Sequence, residues 1–527
     1  MIKTDITVGI KYNTEAIKDA ICHALPVEKE EIGEIRILKK QLKIDKEKSF
    51  ALSVGIEFSP EREAGLLKMK KRVSECPTYE LALPEVRCAV RPVVVGAGPA
   101  GLFAALVLAE SGLCPIVLER GDRVEERRIR VSKFFGEKEL DSESNIQFGE
   151  GGAGAFSDGK LKVGGMDKYK YKVLSEFVNA GAPEQIIYTV GAHLGTDKLP
   201  LYVKSLREKI LSLGGEVIYR ARVTDVELSD GSVRGVKYET GGKTVQIPTD
   251  RVVLATGHSA RDVFEMLKRH GIPMEAKGFG IGVRIEHPRE YINELILGEH
   301  TPCAEIGTAS YHLVSHLQNG RSVYSFCMCP GGTVVAASSE TGGIVTNGMS
   351  EEARMADNSN AAHLVSLTPA DFGSDDVLAG IDLQRRIESS AFRIAGSDYK
   401  APAQELGSFM QKSAPKLSDS VNASYPCGVL PVSCEEYLPS FITDSLRAAM
   451  ADYNEYLNGF YYPGALITGA ETRSTSPIRI LRDEGFNAMN IKGLYPVGEG
   501  AGYAGGIVSS GVDGVRCAER IIYEFKK

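Results

Sequence analysis

The chain has 527 residues, more than one hydrophobic core accommodates, and length alone predicts two to four domains. Its 43% hydrophobic and 25% charged residues are a globular composition, which excludes wholesale disorder. A net charge of -7 gives no general electrostatic reason to bind DNA, and no run of eighteen apolar residues offers a membrane span.

The opening MIKTDITVGIKYNTEAIKDA has no apolar stretch behind a basic start, so no secretion signal is expected. Ten cysteines are too sparse for a disulfide scaffold and fit a reducing interior. A cytoplasmic protein is the expectation. Its fifty-six glycines are more telling, because they cluster.

Residues 1–90 form the first expected domain. Apolar runs at Ile6–Ile10, Ile35–Leu38 and Phe50–Phe58 predict strands, and Thr14–Ala24 and Glu61–Arg72 predict helices. The pattern suits a small α+β unit of ferredoxin-like βαββαβ order. The basic patch Lys68-Met69-Lys70-Lys71-Arg72 is either a solvated helix face or a contact for RNA or phosphate, the solvated face being favoured. Pro77, Pro84 and Pro92 mark a seam.

From Pro92 the texture changes. Val93-Val94-Val95 leads into Gly96-Ala97-Gly98-Pro99-Ala100-Gly101, then an apolar helix and a second strand, Ile116-Val117-Leu118, that closes on Glu119 and Arg120. A bare GxGxxG is weak, but strand, glycine turn, helix, second strand and an acid eighteen positions after Gly101 together make a dinucleotide fingerprint. Gly96 serves the tight turn, Gly98 lets backbone approach a pyrophosphate, and Gly101 lets helix and strand pack. The helix start at Pro99 and Ala100 offers free N–H groups to phosphates. Glu119 is placed to accept from ribose hydroxyls.

Further on, Leu199–Leu213 reads as an amphipathic helix, and hairpin turns are expected at Ser229-Asp230-Gly231-Ser232 and Gly241-Gly242. Arg251–Ala255 is a buried strand that runs into Thr256-Gly257. From Ala276 to Pro463 short strands, glycine turns and polar helices mix without a repeat. After Ala465 comes Leu494-Tyr495-Pro496-Val497-Gly498-Glu499, then Gly502, Gly505 and Gly506 before a helix that opens at Ile507.

The Gly96–Gly101, Ala255–Gly257 and Gly498–Gly506 blocks, in that order, resemble the FAD-dependent oxidoreductases with a single nucleotide domain, the fumarate reductase, p-hydroxybenzoate hydroxylase and geranylgeranyl reductase types. The run Gly149-Glu150-Gly151-Gly152-Ala153-Gly154-Ala155-Phe156-Ser157-Asp158-Gly159-Lys160-Leu161 narrows the likeness to a family of uncharacterised FAD-dependent dehydrogenases. Blocks at His193–Asp197, Ala255–Asp262, Gly282–Pro288, Cys327–Gly332, Asn347–Ser350 and Glu471–Arg479 fit it too. The resemblance implies FAD as cofactor and places Gly498 and Glu499 at the ribityl chain and flavin, with Glu where Asp is more frequent.

The fold class expected is therefore α/β. A discontinuous Rossmann-like FAD-binding domain (91–275 and 465–527) would carry an inserted α+β substrate domain (276–464) and the small N-terminal domain. Residues expected to hold FAD are Gly96, Gly98, Pro99, Ala100, Gly101, Glu119, Arg120, Gly151, Gly152, Gly154, Thr256, Gly257, Gly498, Glu499, Gly505, Gly506 and Ile507. The Gly149–Gly154 loop is either a backbone cradle for the cofactor or a lid tip.

Flavin carries its own redox chemistry, so no nucleophile triad is required. No second strand–GxGxxG–helix unit for NAD(P)H is found; Gly278–Gly282 opens into a strand. NAD(P)H stays a transient electron donor at most. His258 either moves a proton near the flavin or caps a helix. Arg473, in the arginine- and hydroxyl-rich run Glu471–Arg479, either binds an anionic group of a small substrate or joins a hydrogen-bonded turn. Cys327 and Cys329 form a C-x-C rather than a C-x-x-C, and a strand end turning at Pro330-Gly331-Gly332 is favoured over a redox pair. His312 and His316 have helical spacing but no further ligands, so no metal is expected. The function expected is hydride exchange between flavin and a small molecule, with a monooxygenase or an RNA-modifying flavoprotein as the rivals.

Overall fold

A computed structural model describes residues 1–44, 48–69, 72–161, 165–298 and 306–525. Lys70 and Lys71 of the basic patch lie outside the described residues. Two compact units are present: the first holds Met1–Ala82 and Leu161–His193, the second Leu83–Lys160 and nearly all of the chain after Leu194.

The first unit is a four-stranded antiparallel sheet of Ile2–Gly9, Ile35–Ile44, Lys48–Ile56 and Ser74–Glu75, in spatial order second, third, first, fourth. With helices Thr14–Ala24 and Pro60–Leu67 between strands, this is the split βαβ order. Asn13 and Ser59 start the two helices, each side chain accepting from a first-turn N–H. Ile2, Ile6 and Val8 alternate inward against Ile17, Ile21 and Leu66. The expected boundary at residue 90 is corrected in two places. Leu83 onward belongs to the second unit, where Val86 N–H donates to the Ser111 carbonyl. The segment 161–193, expected in the FAD-binding domain, joins the first unit: Lys40 exchanges backbone hydrogen bonds with Tyr188 and Val190, and Tyr171 stacks on Tyr79.

The second unit contains a five-stranded parallel sheet. Its order is Leu494–Pro496, Val252–Leu254, Val93–Val95, Ile116–Leu118, Glu216–Ile218, and all but the last strand are nearly continuous apolar runs. Such runs belong to strands covered on both faces. An antiparallel meander follows, Arg222–Ser229, Ser232–Thr240 and Lys243–Pro248. Its first turn has positive φ at both Asp230 and Gly231, the type I′ geometry that matches strand twist.

A seven-stranded mixed sheet completes the unit, in the order Val314–His316, Ser322–Cys329, Asn358–Leu367, Phe279–Pro288, Leu466–Glu471, Ala401–Glu405, Val429–Pro431. Helix Ser440–Tyr456 buries Ile442, Leu446, Ala449 and Met450 against it. Here a second expected boundary is corrected. Leu466–Glu471, assigned to the FAD-binding piece, pairs with Phe279–Pro288 and Ala401–Glu405 and so belongs to the inserted sheet. His316 ends a strand, so the helical spacing of His312 and His316 does not exist. Among the described residues, no helix is long and apolar enough to cross a membrane.

Candidate functional site

The glycine turn sits between buried Val93–Val95 and helix Pro99–Glu110. A Cβ on Gly101 would stand 1.9 Å from the Gly96 carbonyl oxygen, so only glycine lets this helix start where it does. Glu119, 4% exposed, ends the second strand as expected, but its carboxylate accepts from three backbone N–H groups: Ala97 at 2.8 Å, Gly121 at 2.8 Å and Gly149 at 3.0 Å. A carboxylate offers about four acceptor sites, so roughly one is left for a ribose hydroxyl. Its structural work is to hold the turn and the Gly149 loop in one place.

Arg120 needs correction. Its guanidinium lies over the Phe148 ring and is paired with Glu143 at 2.8 Å and Asp262 at 3.0 Å, so it braces the loops rather than awaiting a phosphate.

The Gly149–Gly154 loop is fastened, which excludes the lid-tip reading. Arg127, fully buried, makes five hydrogen bonds to backbone carbonyls at 2.7–3.2 Å: Nε to Asn145, Nη2 to Ile146, and Nη1 shared among Gly149, Glu150 and Gly152. Burial pulls the guanidinium down to about 10 although Glu119 and Glu150 oppose it. Glu150, equally buried, accepts from Val124 N–H, Arg207 and the Tyr219 hydroxyl; burial raises its carboxyl above the usual range. The sequence reading missed Arg127 because nothing sets it apart among the neighbouring arginines of its helix.

So held, the loop bridges two helix starts. Gly151 N–H donates to the Ala97 carbonyl at 2.8 Å; a Cβ on Gly98 would lie 3.7 Å from Gly152 Cα, and one on Gly154 would lie 2.9 Å from Ile507 Cγ1. Ile507 opens the second helix, Ile507–Glu524. Side chains added at Gly257 or Gly505 would meet nothing within 4 Å, and at Gly506 only Ser509 Oγ at 3.9 Å. Bare backbone therefore faces open space at the Gly257 strand end and beside the start of helix Ile507–Glu524, where unpaired N–H groups attract negative charge, and the Gly98–Gly152 backbone contact carries the side-chain-free surface to the other helix start. A pyrophosphate-bearing cofactor fits this donor set.

At the C-terminal ends of the strands, Glu499 Oε1 lies 3.5 Å from His258 Nδ1, and His258 Nε2 is buried without a hydrogen-bond partner. Gly498 N–H donates to Asp513, itself paired with Arg482. Lys277, not singled out in the sequence, is close by: burial first, then Arg479, lowers its ammonium pKa, and Glu499 pulls it back. Thr256 precedes Gly257 at the same strand end.

Arg473 is also corrected. It is buried and donates to both oxygens of Glu388 at 3.0 and 2.9 Å and to Ser259 at 3.2 Å. Arg261 reaches the same carboxylate, and together the two cations hold Glu388 well below the ordinary carboxylate range although burial opposes it. With Thr472 on Glu388 and Ser474 on Gly280, the Glu471–Arg479 run is a hydrogen-bonded turn. Arg473 is thereby spent on protein groups. Arg479 stays at the edge, paired with Glu275 at 2.9 Å.

The chain is similar to a flavoprotein/dehydrogenase from Cytophaga hutchinsonii, at 11% identity over 83% of this chain and 78% of that one, with a TM-score of 0.36. It is 28% identical to digeranylgeranylglycerophospholipid reductase 1 of Methanococcoides burtonii over 31% of this chain and 37% of that protein. An uncharacterized protein of Clostridium beijerinckii is 41% identical over 99% of this chain and 98% of its own. Residues 176–332 match the FAD dependent oxidoreductase family, and residues 278–474 match the FAD-dependent protein, C-terminal domain-like family. The two family matches fall on a chain whose bare backbone and helix starts suit a dinucleotide, and the protein belongs to the FAD-dependent oxidoreductases, an enzyme with FAD as its cofactor.

Proposed function

We propose that this oxidoreductase is a dehydrogenase or reductase that exchanges a hydride between FAD and a small anionic molecule, with NAD(P)H as a transient electron donor. Bound FAD supplies the two-electron chemistry. Gly96, Gly98, Pro99, Ala100 and Gly101 would take the pyrophosphate with the Gly151, Gly152 and Gly154 backbone, and Thr256, Gly257, Gly498, Glu499, Gly505, Gly506 and Ile507 the rest. The observation that carries the reading is the Arg127-fastened loop, whose glycines touch Gly98 at one helix start and Ile507 at the other, beside the open positions Gly505 and Gly506.

His258 is the group for proton work. Its Nδ1 edge faces Glu499, and its unpartnered Nε2 has a hydrogen bond to give or take. With Arg473 spent, the positive charge for an anionic substrate comes from Lys277 and Arg479. Lys277's depressed ammonium gains most from an anion, since Glu499 only partly offsets its burial and the nearby Arg479.

The test is a spectrum of the purified protein, followed by anaerobic addition of NADH or NADPH. The expected result is a yellow protein whose non-covalent flavin, released by acid, chromatographs as FAD and is bleached by one of the two donors. A colourless protein that cannot be reconstituted, or FMN, sinks the cofactor placement. Fast reoxidation by oxygen with a hydroxylated product replaces the dehydrogenase by a monooxygenase.

A further inference from the structure

In the inserted sheet, strand Ser322–Cys329 leaves its ladder near the end. Phe326 pairs with Ala362 and Cys329 with Asn360, three steps against two, which is a β-bulge. The bulge falls on Cys327, whose φ of +41° is a region that branched and bulky residues rarely occupy. The bulge leaves the two cysteines in contact: the Cys329 thiol donates to the Cys327 carbonyl oxygen at 3.2 Å, and each thiol acts on the other's ionisation. Cys327 keeps partial exposure whereas Cys329 is fully buried.

Two cations fix this backbone. Arg284 donates to the Cys327 carbonyl at 3.0 Å, and Lys160, from the end of the Gly149–Leu161 motif, donates to the Met328 carbonyl. Asp158 and Glu471 face the same corner, Glu471 through its pair with Arg284. The balance is unequal. The interaction with Cys329 draws the Cys327 thiol down against its own burial, helped by Arg284 and Lys160, while the interaction with Cys327 and burial together push Cys329 up. A partly exposed thiol drawn toward ionisation beside a fully buried thiol held from it is the division of labour of an attacking and a resolving cysteine.

We propose that Cys327 and Cys329 are a dithiol redox site that reduces small disulfides. The Cys327 thiolate attacks one sulfur of the substrate, its S–S bond breaks, and the departing thiolate leaves Cys327 in a mixed disulfide. Cys329 then attacks Cys327 Sγ, passing its proton to the released thiolate. A second thiolate leaves, takes from water the proton that Cys327 released on ionising, and the Cys327–Cys329 disulfide closes. The substrate gains two electrons from the pair, one proton from Cys329 and one returned by water. The reaction is independent of the flavin reading, because a disulfide and this pair balance between themselves.

The test uses the full-length protein, reduced and desalted, with hydroxyethyl disulfide as the probe and mass spectrometry of the peptide that carries both cysteines. That peptide should lose two hydrogen masses in the unmodified protein and keep one hydroxyethylthio adduct in Cys329→Ser. It should stay unmodified at position 329 in Cys327→Ser. Iodoacetamide labelling gives a second readout on unmodified protein: Cys327 should reach half its maximal rate at a lower pH than Cys22 and Cys88, whose thiols burial raises. The midpoint is the quantity to compare, since nucleophilicity falls as thiol pKa falls and rates largely cancel. A peptide that stops at the mixed disulfide in the unmodified protein, or a Cys327 midpoint at or above that of Cys22, overturns the proposal.

Discussion

Gly514 rests on the carbonyl of Ala100: a Cβ at Gly514 would stand 2.1 Å from that oxygen. Helix Ile507–Glu524 and helix Pro99–Glu110 therefore touch backbone to backbone, and their N-termini reach one surface because of it. Gly514→Ala forces the helices apart. Overpacking of this kind costs about 1–3 kcal/mol. The expected outcome is a lower thermal midpoint in the apoprotein together with weaker FAD binding, read by flavin fluorescence on titration. An unchanged apoprotein midpoint removes the backbone contact from the argument.

Glu119→Ala strips an acceptor from Ala97, Gly121 and Gly149 at once. Leaving buried N–H groups unpaired costs about 1–3 kcal/mol each, so the loss appears first as stability. FAD affinity should fall by about one to two decades, since the turn and the Gly149 loop lose their common tie. Glu119→Gln keeps one acceptor oxygen and should recover part of both. If Glu119→Ala unfolds at the unmodified midpoint, the carboxylate does not organise the loop.

What the sequence made legible was local. The strand, glycine turn and helix at Val93–Glu110 and the Asp230-Gly231 hairpin are determined by residues within a few positions of each other. Partners brought in by the fold were hidden. Arg473 looked available because Glu388, which holds it, lies 85 positions earlier. Leu466–Glu471 read as the start of the FAD-binding piece because a buried apolar run does not say which sheet it joins; its neighbour Phe279–Pro288 is far away in sequence. Arg127 satisfies carbonyls, and a backbone acceptor leaves no mark in composition.

His287 and His363 predict a pH dependence. Both are fully buried, His287 against Tyr291, Phe460 and Tyr462 and His363 against Tyr311, Tyr453 and Phe460, and burial lowers their imidazolium pKa from 6.5 to about 4 and about 3. Below pH 6.5 the unfolded chain takes up protons that the folded one refuses. Stability is complete above that pH and is lost as the pH falls toward the folded values. Each histidine contributes a slope of up to about 1.4 kcal/mol per pH unit. His363 has neither ring nitrogen hydrogen-bonded, so His363→Phe removes one titration without breaking a bond. The urea midpoint of this variant should fall less steeply between pH 6.5 and 4.5 than that of the unmodified protein. Equal slopes would mean that His363 titrates normally in the folded state.

The role given to the start of helix Ile507–Glu524 rests on charge. Reduced flavin carries added negative charge, and the positive end of a helix dipole stabilises an anion near it by roughly 0.3–1 kcal/mol, more where water is excluded. Gly506 is a poor probe, because its φ of +138° would strain any side chain. Gly505 has an ordinary φ and nothing within 4 Å of an added Cβ, so the Cβ of Gly505→Val meets no protein atom there. The apoprotein should therefore melt as the unmodified one does, while a ligand lying against this backbone is pushed away. Sulfite affinity reports how well the site tolerates negative charge on bound flavin, and the reduction potential reports the same preference through electrons. Both should fall in Gly505→Val by more than FAD occupancy does. If occupancy is kept and both quantities match the unmodified protein, this helix start does not address the flavin ring, and the C-terminal glycines serve only to admit the chain into its turn.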